Sequence, residues 1–147
     1  MISDPAVFIG IGMVFSLFLT ETLGVTAGGI IVPGYIAMNL EDPYRLIATF
    51  SISIITFYII KLISTFVLVY GKRRLVLALL IGFLLGHLSR NNNYVINMTQ
   101  LDFVVIGNII PGLIANWMDR QGVIRTISTV LITAGITKLT VMFISVL

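Results

Sequence analysis

Two lysines lie deep in apolar sequence, Lys61 in "IIKLI" and Lys138 in "GITKLTV". Lys61 stands nine residues before the end of its apolar run at Tyr70, and Lys138 nine before Leu147. At 1.5 Å per residue an ammonium there is about 13 Å deep, near the middle of a hydrocarbon core about 30 Å thick. A lysine at that depth costs roughly 2.5–3.5 kcal/mol on insertion scales, so such residues face a bundle interior or a polar path. The partners open to them are Glu21, Asp102, a backbone carbonyl or an anionic substrate; satisfaction by carbonyls alone is the bland alternative. Glu21 and Asp102 each border a Gly/Pro-broken segment, where a carboxylate either counters a cation or simply marks the membrane interface. No phosphate-cradling GxxxxGK[S/T], metal-ligand cluster or Ser/His/Asp set is present, so the chain is not expected to hydrolyse ATP or bind a cofactor or metal by itself.

The elements that would hold these lysines are membrane segments. Hydrophobic residues make up 58% of the 147 residues and charged residues 10%, with a mean hydropathy of +1.09; soluble domains carry about 25% charged residues. The composition is that of a multi-pass integral membrane protein forming one domain, 1–147, with no space for a soluble catalytic unit. With no cysteine, disulfides, thiolate metal sites and thiol nucleophiles are excluded. "MISDP" lacks Lys and Arg before the first apolar run, so that run is expected to be retained and not cleaved as a signal peptide.

Hydrophobicity breaks outline six segments: Ala6–Leu19, Val25–Leu40, Leu46–Tyr70, Leu75–Leu88, Phe103–Met118 and Thr126–Leu147. The second and fifth repeat a phrase, "GIIVPGYIA" at 29–37 and "GNIIPGLIA" at 107–115. Pro33 and Pro111 are 78 residues apart, as are Gly34 and Gly112, while "TFYIIKL" at 56–62 matches "TAGITKL" at 133–139 and pairs Lys61 with Lys138. The chain is therefore expected to be all-α, with two repeats, about 6–70 and 75–147, each a short helix, a Gly/Pro-broken segment and a long helix.

Proline in a helix interior costs about 3 kcal/mol or more, and in lipid the freed backbone groups survive only against protein or a water-filled cavity. Matched broken segments point to a midplane substrate path in repeat-built transporters. Pro33, Gly34, Pro111, Gly112 and Asn116 join Glu21, Lys61, Asp102 and Lys138 as candidates for such a path. Orientation follows from basic residues. If the broken segments are re-entrant, "GKRR" puts Lys72, Arg73 and Arg74 inside and leaves Arg45, Arg90, Arg120 and Arg125 outside. If they cross, Arg120 and Arg125 join the inside set, which obeys the rule and makes the repeats inverted, with both termini outside.

The same residues resemble the PgsC/CapC family, the small membrane subunit of poly-γ-glutamate synthases. The likeness is carried by Thr20-Glu21 and Gly24, Gly29 to Tyr35, the Tyr70 to Arg74 cluster, "PGLIAN" at 111–116 and Gln121-Gly122. Ala27 stands where the family usually has proline, and Asp102-Phe103-Val104 lacks the arginine of an acidic-Phe-Arg element. The resemblance implies a bacterial cytoplasmic-membrane subunit of a capsule or secreted-polymer system, working with further membrane-anchored subunits and no nucleic acid. ATP and Mg would belong to a cytoplasmic Mur-ligase-like amide ligase. This chain would anchor that ligase and help move the growing polyanion, with Lys72, Arg73, Arg74, Arg120, Gln121 and Arg125 as docking residues. An autonomous transporter for an anionic solute and a purely structural anchor are the competing expectations.

Overall fold

All four prolines stand in the first turn of a helix, and their placement lays out the architecture. A first-turn proline gives up an N–H that has no intrahelical partner and pre-sets φ for the helix. Pro5 opens α1 (Pro5–Leu23), Pro33 lies in the first turn of α2 (Val32–Met38), Pro43 opens α3 (Pro43–Phe66), and Pro111 lies in the first turn of α5 (Ile110–Gln121). Gly71 and Gly122, at φ +61° and +95°, precede α4 (Lys72–Asn93) and α6 (Val123–Val146). The computed structural model describes residues 4–93 and 109–147, and these are all-helical, with no strand among them. Helices α1, α3, α4 and α6 are long and apolar enough to cross a membrane.

Pro33 and Pro111 therefore each stand in the first turn of a helix, and before Pro33 the backbone at 24–31 is already non-helical. Other boundaries shift for a shared reason. Helix α3 takes in Pro43, Tyr44 and Arg45 of the polar "EDPYR" and stops at Phe66, and α4 runs through "KRR" and "HLSR" to Asn93. Hydropathy reports where lipid ends, whereas a helix keeps satisfying its own backbone into the polar interface.

Helix α2 returns antiparallel along α1 at backbone contact. A Cβ added at Gly12 would lie 2.7 Å from the Gly34 nitrogen, and one at Gly34 would lie 2.6 Å from the Ile9 Cα. Helix α5 meets α4 in the same manner: a Cβ at Gly82 would lie 2.6 Å from the Gly112 nitrogen, and one at Gly112 would lie 2.8 Å from the Leu79 Cα. Since Gly34 is level with Ile9 and α2 continues to Met38, the chain from Gly24 onward travels from the end of α1 back to the level of its start. The middle of that non-helical stretch, Ala27 and Gly28, is buried, while Gly24, Ile30 and Ile31 are exposed. Ser16 donates to the Gly29 carbonyl at 3.3 Å, and Gln121 bonds both the N–H and the carbonyl of Thr26. Gly28, at φ +70°, has no room for a side chain, because a Cβ would stand 3.0 Å from Val130 Cγ2.

The long helices are exchanged between the sequence halves. Helix α6 packs on α1 and α2, and α3 packs on α4 and α5, so two three-helix groups each combine elements of both halves. They join where α5 meets α2 and α6. The core there is apolar: Ala27, Val32, Ile36, Ile110, Ile114 and Val130 are buried together.

Candidate functional site

One end of the bundle collects cations. Gln121, the last residue of α5, donates to the Thr26 carbonyl at 2.6 Å and to Thr126 Oγ1 at 3.1 Å, and accepts from the Thr26 N–H at 3.2 Å. It ties the chain beyond α1 to the junction of α5 and α6. Arg74 in the first turn of α4 forms an ion pair with Asp119 near the end of α5. The end of α1, the α3–α4 connection and the α5–α6 junction thus share one face. Lys72, Arg73, Arg120 and Arg125 are exposed on it, with the Arg120 guanidinium 5.2 Å from the Trp117 ring centroid. Glu21 is exposed in the last turn of α1 and forms no ion pair among the described residues.

Of the six residues expected to dock a partner, Lys72, Arg73, Arg120 and Arg125 present free surface, and two turn inward. Gln121 is an internal clamp. Arg74 is mostly covered, and its buried Nε has no hydrogen-bond partner.

Among the described residues the expected path residues lie apart from one another. Pro33 and Gly34 are buried against α1, and Pro111 and Gly112 against α4. Between the two Pro-Gly sites lies the apolar core. Asn116 is 5% exposed, and its side chain makes no hydrogen bond among the described residues. Asp102 lies outside the described residues. The two lysines have unlike surroundings. Lys138 bonds Glu41 Oε1 at 3.1 Å, in the link between α2 and α3. Lys61, expected to face the bundle interior, lies on the outside of α3, its ammonium 5.8 Å from the Phe57 ring centroid. Helix α3 ends five residues later at Phe66, about 7.5 Å at 1.5 Å per residue, within reach of a snorkelling side chain.

Sequence reasoning missed the buried hydroxyls. Thr49, Ser53 and Thr56 line the packing face of α3, and Thr126, Thr133 and Thr137 that of α6, each at most 0% exposed. Every one donates to the carbonyl four residues earlier, at 2.7–2.8 Å. Small side chains with internally bonded hydroxyls let membrane helices approach closely. The signal was present in the 77-residue spacing of Thr49 with Thr126 and Thr56 with Thr133.

The arrangement offers cations and a scaffold, and among the described residues no His, Asp and Glu gather as metal ligands. Residues 11–127 match the family described as capsule biosynthesis CapC. The chain belongs to the CapC family. A CapC relative from Bacillus anthracis, named "Capsule biosynthesis protein CapC", is 35% identical over 136 residues, covering 92% of this chain and 91% of its own. Another from Bacillus subtilis (strain 168), "PGA biosynthesis protein CapC", is 30% identical over 136 residues with the same coverage. No solved structure matches. The CapC match takes in both Pro-Gly motifs, the basic cluster at 72–74 and Gln121, and ends before Lys138.

Proposed function

We propose that this CapC protein is the membrane subunit of an ATP-dependent poly-γ-glutamate synthase, in which the basic end of the bundle docks the cytoplasmic ligase and holds the emerging polyanion. The observation that carries the reading is the gathering of Lys72, Arg73, Arg120 and Arg125 on one end, beside a centre packed with apolar side chains. A chain of ionised glutamates is attracted to such an end, and so is an acidic face of a ligase. With the centre filled, the polymer would cross beside the bundle, against partner subunits or a further copy, and not between the two Pro-Gly sites. The basic end is cytoplasmic in this reading, in keeping with the excess of Lys and Arg on cytoplasmic loops. The antiparallel course of α2 on α1 and of α5 on α4 supports inverted repeats of three crossings each, with the chain ends on the outer side.

The ligase supplies ATP and Mg chemistry, the γ-carboxyl being activated as an acyl phosphate before amide formation. This chain supplies position and countercharge. The test replaces Lys72, Arg73, Arg120 and Arg125 together with glutamine. The expected result is normal membrane insertion, a co-purifying ligase reduced at least several-fold, and a parallel fall in polymer. Unchanged ligase recovery and unchanged polymer would remove the docking role.

A further inference from the structure

We infer that the outer face of α3 around Lys61 is a binding site for the phosphate of an anionic phospholipid. Tyr58, Lys61, Leu62, Thr65 and Phe66 line a shallow open cleft along one side of the helix. Tyr58, Leu62 and Phe66 are 61%, 64% and 84% exposed, so the surface beside the ammonium is apolar and aromatic, suited to acyl chains and glycerol backbone. The Thr65 hydroxyl already donates to the Leu62 carbonyl at 2.6 Å, which leaves Lys61 as the group that selects charge.

The countercharge is the telling feature. Lys138, which the sequence spacing pairs with Lys61, has its carboxylate in Glu41 at 3.1 Å. The residue spaced from Glu41 as Pro111 is from Pro33 is Asp119, and Asp119 is held by Arg74. Lys61 therefore keeps only the Phe57 ring and forms no ion pair among the described residues. A cation on the lipid-facing side of a membrane helix must find an anion or reach water. Its place about 7.5 Å from the helix end lets a snorkelling ammonium extend toward that end of α3, where a headgroup phosphate can meet it. The opposite charges are complementary, and the inference is independent of ligase docking and of which membrane face the basic end occupies.

The intact protein would be reconstituted in vesicles of phosphatidylcholine doped with phosphatidylglycerol, re-extracted gently, and its retained lipids counted by native mass spectrometry. The wild type is expected to retain phosphatidylglycerol in preference to phosphatidylcholine. Lys61→Met should lower that preference about five-fold, the change given by roughly 1 kcal/mol of attraction per basic residue near a membrane surface. Lys61→Arg should keep it, and so should Lys138→Met, whose ammonium is spoken for by Glu41. An equal preference in Lys61→Met and wild type overturns the site, as does an equal loss in Lys138→Met. Release of the lipid by added glutamate oligomers would overturn it too, assigning the cleft to the polymer.

Discussion

At the scale of single residues, the side chains that matter most are those whose partners are distant in sequence. Gln121 forms with Thr26 the paired bonds that a neighbouring strand would give, and so replaces the secondary structure that the chain between α1 and α2 lacks. Gln121→Ala leaves the N–H and carbonyl of half-buried Thr26 without this partner, each at a cost near the low end of the about 1–3 kcal/mol for a buried unsatisfied group. A clear fall in the thermal midpoint of the detergent-solubilised protein is expected, and Gln121→Glu should fall at least as far, since a carboxylate donates nothing to the Thr26 carbonyl. A midpoint for Gln121→Glu equal to wild type would mean that the clamp contributes little. The pair of Lys138 and Glu41 makes a second prediction, of opposite sign for its two members. Glu41 is 83% exposed and Lys138 only 20%. Glu41→Gln strands an ammonium and should destabilise, whereas Lys138→Met removes the charge that needed compensation and should be neutral or stabilising; screened exposure limits their coupling in a double-mutant cycle to about 1 kcal/mol or less. The sequence made both lysines visible, because charge in an apolar run is conspicuous. It hid their surroundings: helical phase decides which way Lys61 points, and the trace of that phase in α3, Thr49, Ser53 and Thr56 at helical spacing, lies in small hydroxyls that hydropathy barely registers.

At the scale of elements, four glycines set the spacing of two helix pairs. Gly12, Gly34, Gly82 and Gly112 admit no Cβ without backbone movement, and forcing extra volume into a close-packed contact costs typically about 1–3 kcal/mol. Gly10 in α1 and Gly135 in α6 have nothing within 4 Å of an added Cβ. Alanine at any of the first four should lower thermal stability by several degrees. Alanine at Gly10 or Gly135 should leave it unchanged or raise it, since glycine is about 1 kcal/mol poorer than alanine in a helix. Equal effects in both sets would mean that α1–α2 and α4–α5 approach less closely than described. The Pro-Gly phrases were legible as special positions, but local chemistry alone did not show that their prolines open helices. A proline seen in an apolar stretch looks like a broken helix until the preceding backbone is placed, and Gly28 and Gly29 show that backbone already non-helical before Pro33. The glycine after each proline then serves contact with α1 or α4.

At the scale of the whole molecule, the exchange of long helices decides what can fold alone. Helix α3 follows α2 after only Asn39 to Asp42, yet its packing face of Thr49, Ser53, Thr56 and Ile60 is covered by α4 and α5. Helix α6 follows α5 across Gly122 and covers α1 and α2. The sequence showed two similar halves through the spacing of Pro33 with Pro111 and Lys61 with Lys138; it carried no sign that they interlock, because similarity along a chain does not say which surfaces meet. If residues 1–70 and 71–147 are expressed as separate polypeptides, each has a long helix whose hydroxyl-lined face lacks its own partner. Neither should accumulate as a stable monomer alone. Expressed together they should insert, co-purify through a tag on one of them, and recover thermal stability near that of the intact chain, because the packing of α3 on α4 and α5 and of α6 on α1 and α2 does not require the peptide link at 67–71. The interlock also predicts that Gly82→Ala in the second fragment weakens recovery of the first, by displacing α5 from beneath α3. Stable monomeric accumulation of either fragment alone would show that each half packs upon itself, and the exchange of α3 and α6 would then be wrong.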